Sequence, residues 1–327
     1  MREIIQMKVV ITGGTGAIGL ALTSYLIKEG MEVLLIVRKN STRRSRLSDI
    51  ASKGLRILSA DLFEYNEITE NALADDGEKI GNGYSIFFHL AWAGTIGDGR
   101  NDMYLQNENI KYTLDAVHLA KRLSCTTFLG AGSQAEYGRT EKKITASLPT
   151  FPEMGYGMAK LCAGSMSREE CKKLSMKHIW VRILSIYGPG DGEATMITSA
   201  IRKMLAEEET AFSKGEQLWD YLYSEDAARA LFLAADKGTD GSVYPVGSGM
   251  VRPLEEYIRV LAEAVTEYTG KVVTPGIGKI PYREKQVMYL CADIGQLTKD
   301  TGFVPKVSFE EGIRETIKAY CLASNII

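Results

Sequence analysis

Lys8-Val9-Val10-Ile11-Thr12 runs directly into Gly13-Gly14-Thr15-Gly16-Ala17-Ile18-Gly19, and the architecture of the chain follows from that join. The β-branched run predicts a short buried strand. Residues 18–29 carry apolar side chains at helical spacing and predict a helix. Glycines 13, 16 and 19 fall where the strand turns into the helix. Such a turn needs glycine wherever a side chain would block a pyrophosphate, and the helix N-terminus adds N–H donors and a positive dipole. The join therefore points to a dinucleotide site contacted by Gly13, Gly16, Ala17, Ile18 and Gly19. Tight packing of helix on strand is the plainer alternative.

Outward from this turn, apolar runs alternate with helical patterns. Strands are predicted over residues 32–37, 55–60, 85–90, 126–129 and 178–184, with helices over 103–122 and 156–173. Short apolar strands separated by helices imply a parallel sheet covered on both faces, the doubly wound α/β arrangement of the Rossmann fold. The second half is less regular, with helices expected over 196–208, 224–235, 254–268 and 309–320. It reads as a smaller mixed lobe over the sheet's carboxyl edge. The expected division is a dinucleotide-binding unit of residues 1–185, with 215–247 woven back into it, and a substrate-binding lobe of 186–214 and 248–327.

Composition narrows the class of protein. The chain has 327 residues, 45% apolar and 24% charged, with a net charge of −2. That balance gives no reason to expect a nucleic-acid or anionic-membrane partner. The longest apolar stretch, residues 85–94, is about half of what a membrane-spanning helix needs. Residues 1–8 show no signal-peptide core, and Met7, just before the first strand, is a possible start. The five cysteines lack CxxC spacing, which suggests reduced thiols in a cytoplasmic protein and no metal site.

The end of the second strand carries a further signal. An NAD-specific site offers an acidic residue to the ribose there, whereas this chain has Arg38, Lys39, Arg43, Arg44 and Arg46 with no acid among them. Arg38 and its neighbours suit a 2′-phosphate, favouring NADP over NAD; a solvated basic loop is the alternative. Asp61, itself followed by Leu62, follows the third strand, where a carboxylate accepts from an adenine amino group or merely caps a helix.

Chemistry is expected in Tyr156-Gly157-Met158-Ala159-Lys160. Tyr156 and Lys160 stand at i and i+4 on one helix face, where an ammonium favours phenolate and prepares the phenol for proton transfer. Ser133, near the end of a predicted strand, is placed to hydrogen-bond the same substrate oxygen. His89 ends a buried strand and reads as structural. Cys162 reads as core, and Met103, Met154, Met158 and Met166 as fillers near a pocket.

Taken in order, these motifs resemble the extended short-chain dehydrogenases/reductases, the NAD(P)-dependent nucleotide-sugar epimerases and dehydratases, over nearly the whole chain. The glycine-rich turn, His89-Leu90-Ala91, Asn109, Gly132-Ser133-Gln134-Ala135-Glu136-Tyr137-Gly138 and the Tyr156–Lys160 pair fall in that family's order. So do residues 182–190, 219–226 and Gly302-Phe303-Val304-Pro305. The resemblance implies Ser133, Tyr156 and Lys160 as the catalytic group. It implies Leu90, Ala91, Asn109, Tyr156 and Lys160 around the cofactor, and Ser133, Ser185, Trp219 and Arg283 around a nucleoside-diphosphate sugar. A homodimer built on helices 103–122 and 156–173 is implied as well.

Three departures stand out. Trp219 replaces a frequent phosphate-binding arginine, Ser185 a frequent asparagine, and Gln134-Ala135 the Asp-Glu pair that sugar 4,6-dehydratases use. The expected activity is that of a nucleotide-sugar epimerase or 4-ketoreductase. An NADPH-dependent reductase of a non-sugar carbonyl and a non-catalytic NADP-binding sensor or scaffold are the alternatives.

Overall fold

The computed structural model describes residues 7–50 and 54–324, so the reading of residues 1–6 lies outside it. In chain order the elements are β1 (Lys8–Thr12), α1 (Ala17–Lys28), β2 (Glu32–Val37), β3 (Leu55–Ser59), β4 (Ile86–His89), α2 (Met103–Arg122), β5 (Thr127–Ser133), α3 (Gly155–Lys173), β6 (Lys177–Ile183) and β7 (Ser185–Tyr187). The second half adds α4 (Met196–Leu205), β8 (Leu218–Trp219), β9 (Tyr221–Tyr223), α5 (Ser224–Lys237), β10 (Val243–Val246), β11 (Arg252–Pro253), α6 (Leu254–Thr269), β12 (Tyr289–Leu290), α7 (Gly295–Thr301) and α8 (Phe309–Ser324).

Seven strands form one parallel sheet in the order β10-β6-β5-β4-β1-β2-β3. The chain winds from β1 out to β3 and then returns to β4 on the other side of β1. That reversal opens a crevice at the carboxyl ends of β1 and β4, where ligands of such sheets bind. Both faces are covered. α1 and α5 bury Leu22, Leu26, Leu231 and Ala234 against one face, and α2 buries Ala116, Val117 and Ala120 against the other. This explains strands that read as unbroken apolar runs. A separate core of α4, α6 and α8 side chains, Tyr257 and Phe309 among them, with Tyr187 of β7, sits beyond the carboxyl edge.

β5 extends past the expected end at residue 129 to Ser133. The glycines in this extension mark a close approach. A Cβ on Gly130 would lie 2.3 Å from the Trp180 ring, and one on Gly132 2.3 Å from the Trp180 indole nitrogen. The indole lies across β5, and the strand continues beneath it. β10 and α7 had no periodicity long enough to be recognised. Cys162 is exposed, not core, because α3 turns residues 158, 162 and 166 away from the sheet.

Candidate active site

Gly13 has φ +78°, and a Cβ there would stand 2.6 Å from the Ala91 nitrogen. Gly19 would place one 2.4 Å from the Gly13 carbonyl oxygen. These two glycines are demanded by the protein's own packing. Gly16 differs, since its nearest neighbour would be 3.6 Å away. It is the N-cap of α1, no side chain caps the helix, and the first turn carries no acid. The first-turn N–H groups are thus left for an anion, and the open space at Gly16 fits a close-lying pyrophosphate.

A cleft of about 350 Å³ opens above this turn. It is lined by Gly13, Gly16, Ala17, Ile18, Gly19 and Leu90 on one side, and by Ser133, Tyr156 and Lys160 on the other. The glycine-rich turn and the Ser-Tyr-Lys group therefore share one space. Ser133 ends β5, and its backbone N–H donates to Glu136 Oε1 at 2.8 Å. Burial raises the Tyr156 phenol above its usual range, against the opposing effects of the Ser133 hydroxyl and of Arg100. Lys160 is fully buried, which pushes its ammonium down to about 7 against the pull of Glu136. Its Nζ donates to the Ala131 carbonyl and lies 3.7 Å from the centre of the Trp92 ring. Such a cation–π contact contributes about 0.5–2 kcal/mol.

Three residues at this site escaped the sequence reading. Trp92 follows the His89-Leu90-Ala91 motif and meets the Tyr156 ring edge-on at 6.1 Å. Arg100 lies over the Tyr156 ring, its guanidinium carbon 4.3 Å from the centroid. Glu136 is completely buried and accepts from Trp180 Nε1 at 3.0 Å and Arg182 Nε at 2.6 Å, besides Ser133. It fixes the β5 end from beneath. Only Glu136 stood inside a recognised motif, and nothing in the pattern marked its role.

The remaining predicted residues distribute unevenly. Asn109 is buried under the loop after β4, holding Ala93 by its N–H and its carbonyl, both at 2.9 Å, and does not line the cleft. Ala91 donates to Thr12 Oγ1 at 3.3 Å. Asp61 and Leu62 stand beyond β3, outside the cleft lining, with the Asp61 N–H donating to Glu64 at 2.8 Å. Of the basic group, Lys39 pairs with Glu64, Arg44 with Asp75 and Ser59, and Arg46 donates to the Gly190 carbonyl at 2.7 Å. Arg38 is exposed and without a side-chain partner among the described residues. The two departures in the expected substrate wall meet each other, since Trp219 Nε1 donates to Ser185 Oγ at 2.8 Å. Arg283 lies exposed on the loop before β12 and is not brought to the cleft. His89 sits between the Thr12 and Thr113 hydroxyls at 3.0 and 3.4 Å, and burial drives it down to about 3, so it stays neutral.

Residues 9–247 match the NAD dependent epimerase/dehydratase family. The chain belongs to that family. Among its relatives, the dTDP-glucose 4,6-dehydratase of Salmonella typhimurium is 24% identical over 343 residues, covering 96% of this chain and 92% of that protein. The ADP-L-glycero-D-manno-heptose-6-epimerase of Alkalilimnicola ehrlichii is 25% identical over 328 residues, covering 95% and 97%. The solved UDP-N-acetylglucosamine 4-epimerase of Methanobrevibacter ruminantium M1, in complex with UDP-N-acetylmuramic acid, matches with a TM-score of 0.84 at 22% identity. It covers 97% of this chain and 99% of that one. The Rossmann fold with a carboxyl-terminal lobe is common to this chain and that structure. No helix among the described residues is long and apolar enough to cross a membrane.

Proposed function

We propose that this epimerase/dehydratase-family chain is an NADP(H)-using 4-ketoreductase or epimerase acting on the sugar of a nucleoside-diphosphate sugar. The observation that carries the proposal is the shared cleft, with Tyr156, Ser133 and Lys160 facing the glycine-rich turn. A nicotinamide cofactor bound along the turn supplies hydride transfer. Tyr156 gives or takes the proton of the sugar oxygen, Ser133 orients that oxygen, and Lys160 supports the phenol and holds the ribose. Arg38, at the end of β2 and without a side-chain partner among the described residues, supports the preference for a 2′-phosphate. The unit that binds the cofactor is 1–185 with 215–247, and the substrate lies under 186–214 and 248–327. The chain works as a homodimer in the cytoplasm.

Gln134 and Ala135 follow Ser133 on the turn after β5. Neither an amide nor a methyl supplies the acid and base that elimination of water requires, so the proposal excludes 4,6-dehydration even though dehydratases are among the relatives. The test is calorimetric titration of NADPH, NADH, UDP, CDP, GDP and dTDP on wild type, Arg38→Ala and Arg283→Ala. Tighter binding of NADPH than NADH, lost in Arg38→Ala, is expected. At least one diphosphate should bind in the micromolar range, and weaker binding in Arg283→Ala would place the exposed Arg283 guanidinium, a fork suited to two phosphate oxygens, on that group. If all four diphosphates fail to bind wild type at millimolar concentration, the substrate is a non-sugar carbonyl.

A further inference from the structure

Taking Tyr156 as the proton-transfer residue, we propose that Arg100 is a second positioning cation for it. On this proposal its guanidinium, held against the ring face, fixes the plane of the phenol and supports the phenolate during proton transfer.

The placement of Arg100 is built, not incidental. The segment 93–101 is anchored from below by two buried side chains of α2. Gln106 donates to the carbonyls of Gly94 and Gly99 at 3.0 and 2.7 Å, and Asn109 holds Ala93. A Cβ on Gly94 would meet the Gly99 oxygen at 2.8 Å, so the segment is folded back tightly on itself. At its far end Asn101 Oδ1 accepts from the Gly155 N–H at 3.1 Å, in the first turn of the helix that carries Tyr156. Gly155 admits this approach because a Cβ there would crowd Met103 at 2.8 Å and the Arg100 carbonyl at 3.2 Å. Arg100 itself donates through one terminal nitrogen to the Thr95 carbonyl at 3.0 Å and through Nε to the Met154 sulfur at 3.3 Å. Its charge has no carboxylate partner among the described residues. It is spent against the Tyr156 ring, 4.3 Å away.

Four other groups face or flank the phenol. Ser133 from β5 favours its ionisation, and Glu136 from the following turn opposes it. Trp92 meets the ring edge-on. Lys160, one turn along α3, lies 5.8 Å from the ring centroid and directs its Nζ to the Ala131 carbonyl and the Trp92 face. Burial also brings Lys160 to about 7, so near neutral pH its charge is only partly present. A guanidinium keeps its charge throughout. The two cations are thus complementary, one permanent on the ring face and one titrating beside it.

The test replaces Tyr156 by a difluorinated tyrosine, whose more acidic phenol titrates where the fold survives, and follows its midpoint by fluorine NMR. Arg100→Gln should raise the midpoint by about one unit, as loss of a neighbouring opposite charge does. Arg100→Lys should restore at least half of that rise. Arg100→Met, which keeps an unbranched chain against the ring, should raise it as Arg100→Gln does and serves if the glutamine variant folds poorly. A midpoint that stays at the wild-type value in the neutral variants overturns the proposal. So does a rise that Arg100→Lys fails to reverse, because the effect would then come from packing and not charge. The titration needs no substrate, so failure of the diphosphates to bind would overturn the proposed substrate class without touching this result.

Discussion

Tyr156 and Lys160 are set one helical turn apart, yet the same environment moves both against their charged forms. Burial raises the phenol and lowers the ammonium to about 7. On the proposed role of Tyr156, Tyr156→Phe removes only the proton donor, so turnover should fall by about 10²–10⁴-fold while cofactor affinity stays within about twofold. A loss below tenfold would take Tyr156 out of its role; Ser133→Ala should cost less, because water replaces part of its hydrogen bond. Lys160 gives a stability prediction whose sign follows from linkage. Below about pH 7 the side chain is charged in both native and unfolded chains. Between about pH 7 and its ordinary value near 10.5 the native state has lost a proton that the unfolded chain still holds, so stability rises with pH. Lys160→Met lacks this dependence. Melting temperatures of wild type and Lys160→Met should therefore shift in favour of wild type as pH rises from 7 to 10, and parallel curves would rule out the buried ammonium. Sequence pattern reached Tyr156, Lys160 and Ser133 because motif spacing marks them. It did not reach Arg100 or Trp92, which lie far in the chain from Tyr156 and converge on it only through the packing of α2 and α3, nor Glu136, whose partners Trp180 and Arg182 come from β6.

At the level of elements, the glycine-rich turn separates two requirements that look alike in sequence. Gly13 and Gly19 are fixed by backbone contacts of 2.6 and 2.4 Å that a Cβ would create, whereas Gly16 faces open cleft. Gly13→Ala, with φ +78° besides the clash, should cost on the order of 1–3 kcal/mol and lower the melting temperature by several degrees. Gly16→Ala should leave the melting temperature nearly unchanged and weaken cofactor binding at least tenfold. If Gly16→Ala binds cofactor normally, the anion does not lie where the α1 N-terminus points. The long, regular elements of the first half were legible because strands buried on both faces read as apolar runs and helices as periodic ones. β10 was not recognised as a strand, since four residues with an internal proline, Val243-Tyr244-Pro245-Val246, carry no strand signal by themselves. Proline is tolerated there because β10 is the edge of the sheet. The turn after β5 makes its own prediction: with Gln134 and Ala135 in place, incubation with dTDP-, CDP- or GDP-hexoses and cofactor should yield no 4-keto-6-deoxy product by mass spectrometry.

At the scale of the whole molecule, the outward side of α2 and α3 is a surface that the chain's own packing does not explain. α2 and α3 lie against each other on the sheet, and their outward side carries Tyr104 at 89% exposure, Met103 at 54%, Met158 at 47% and Met166 at 44%, with Cys162 exposed between the last two. Residues 158, 162 and 166 follow a spacing of four, which lines them along a single stripe of α3. A stripe of that kind, next to an exposed tyrosine, is the character of an interface and not of a solvated face. Charges border it, with His118 beside Glu170 at 3.1 Å and Lys111 beside Asp115 at 2.7 Å. Two copies meeting face to face through this stripe would place four helices together about a twofold axis, the commonest closed arrangement. Helix α3, which carries Tyr156 and Lys160, would then be buttressed from outside as well as from the sheet. Sedimentation at micromolar concentration should give about twice the 36.0 kDa chain mass. Met158→Glu with Met166→Glu should convert it to monomer while cofactor binding survives, because both side chains point away from the cleft. A wild-type monomer, or a double variant that sediments as wild type does, would move the interface elsewhere.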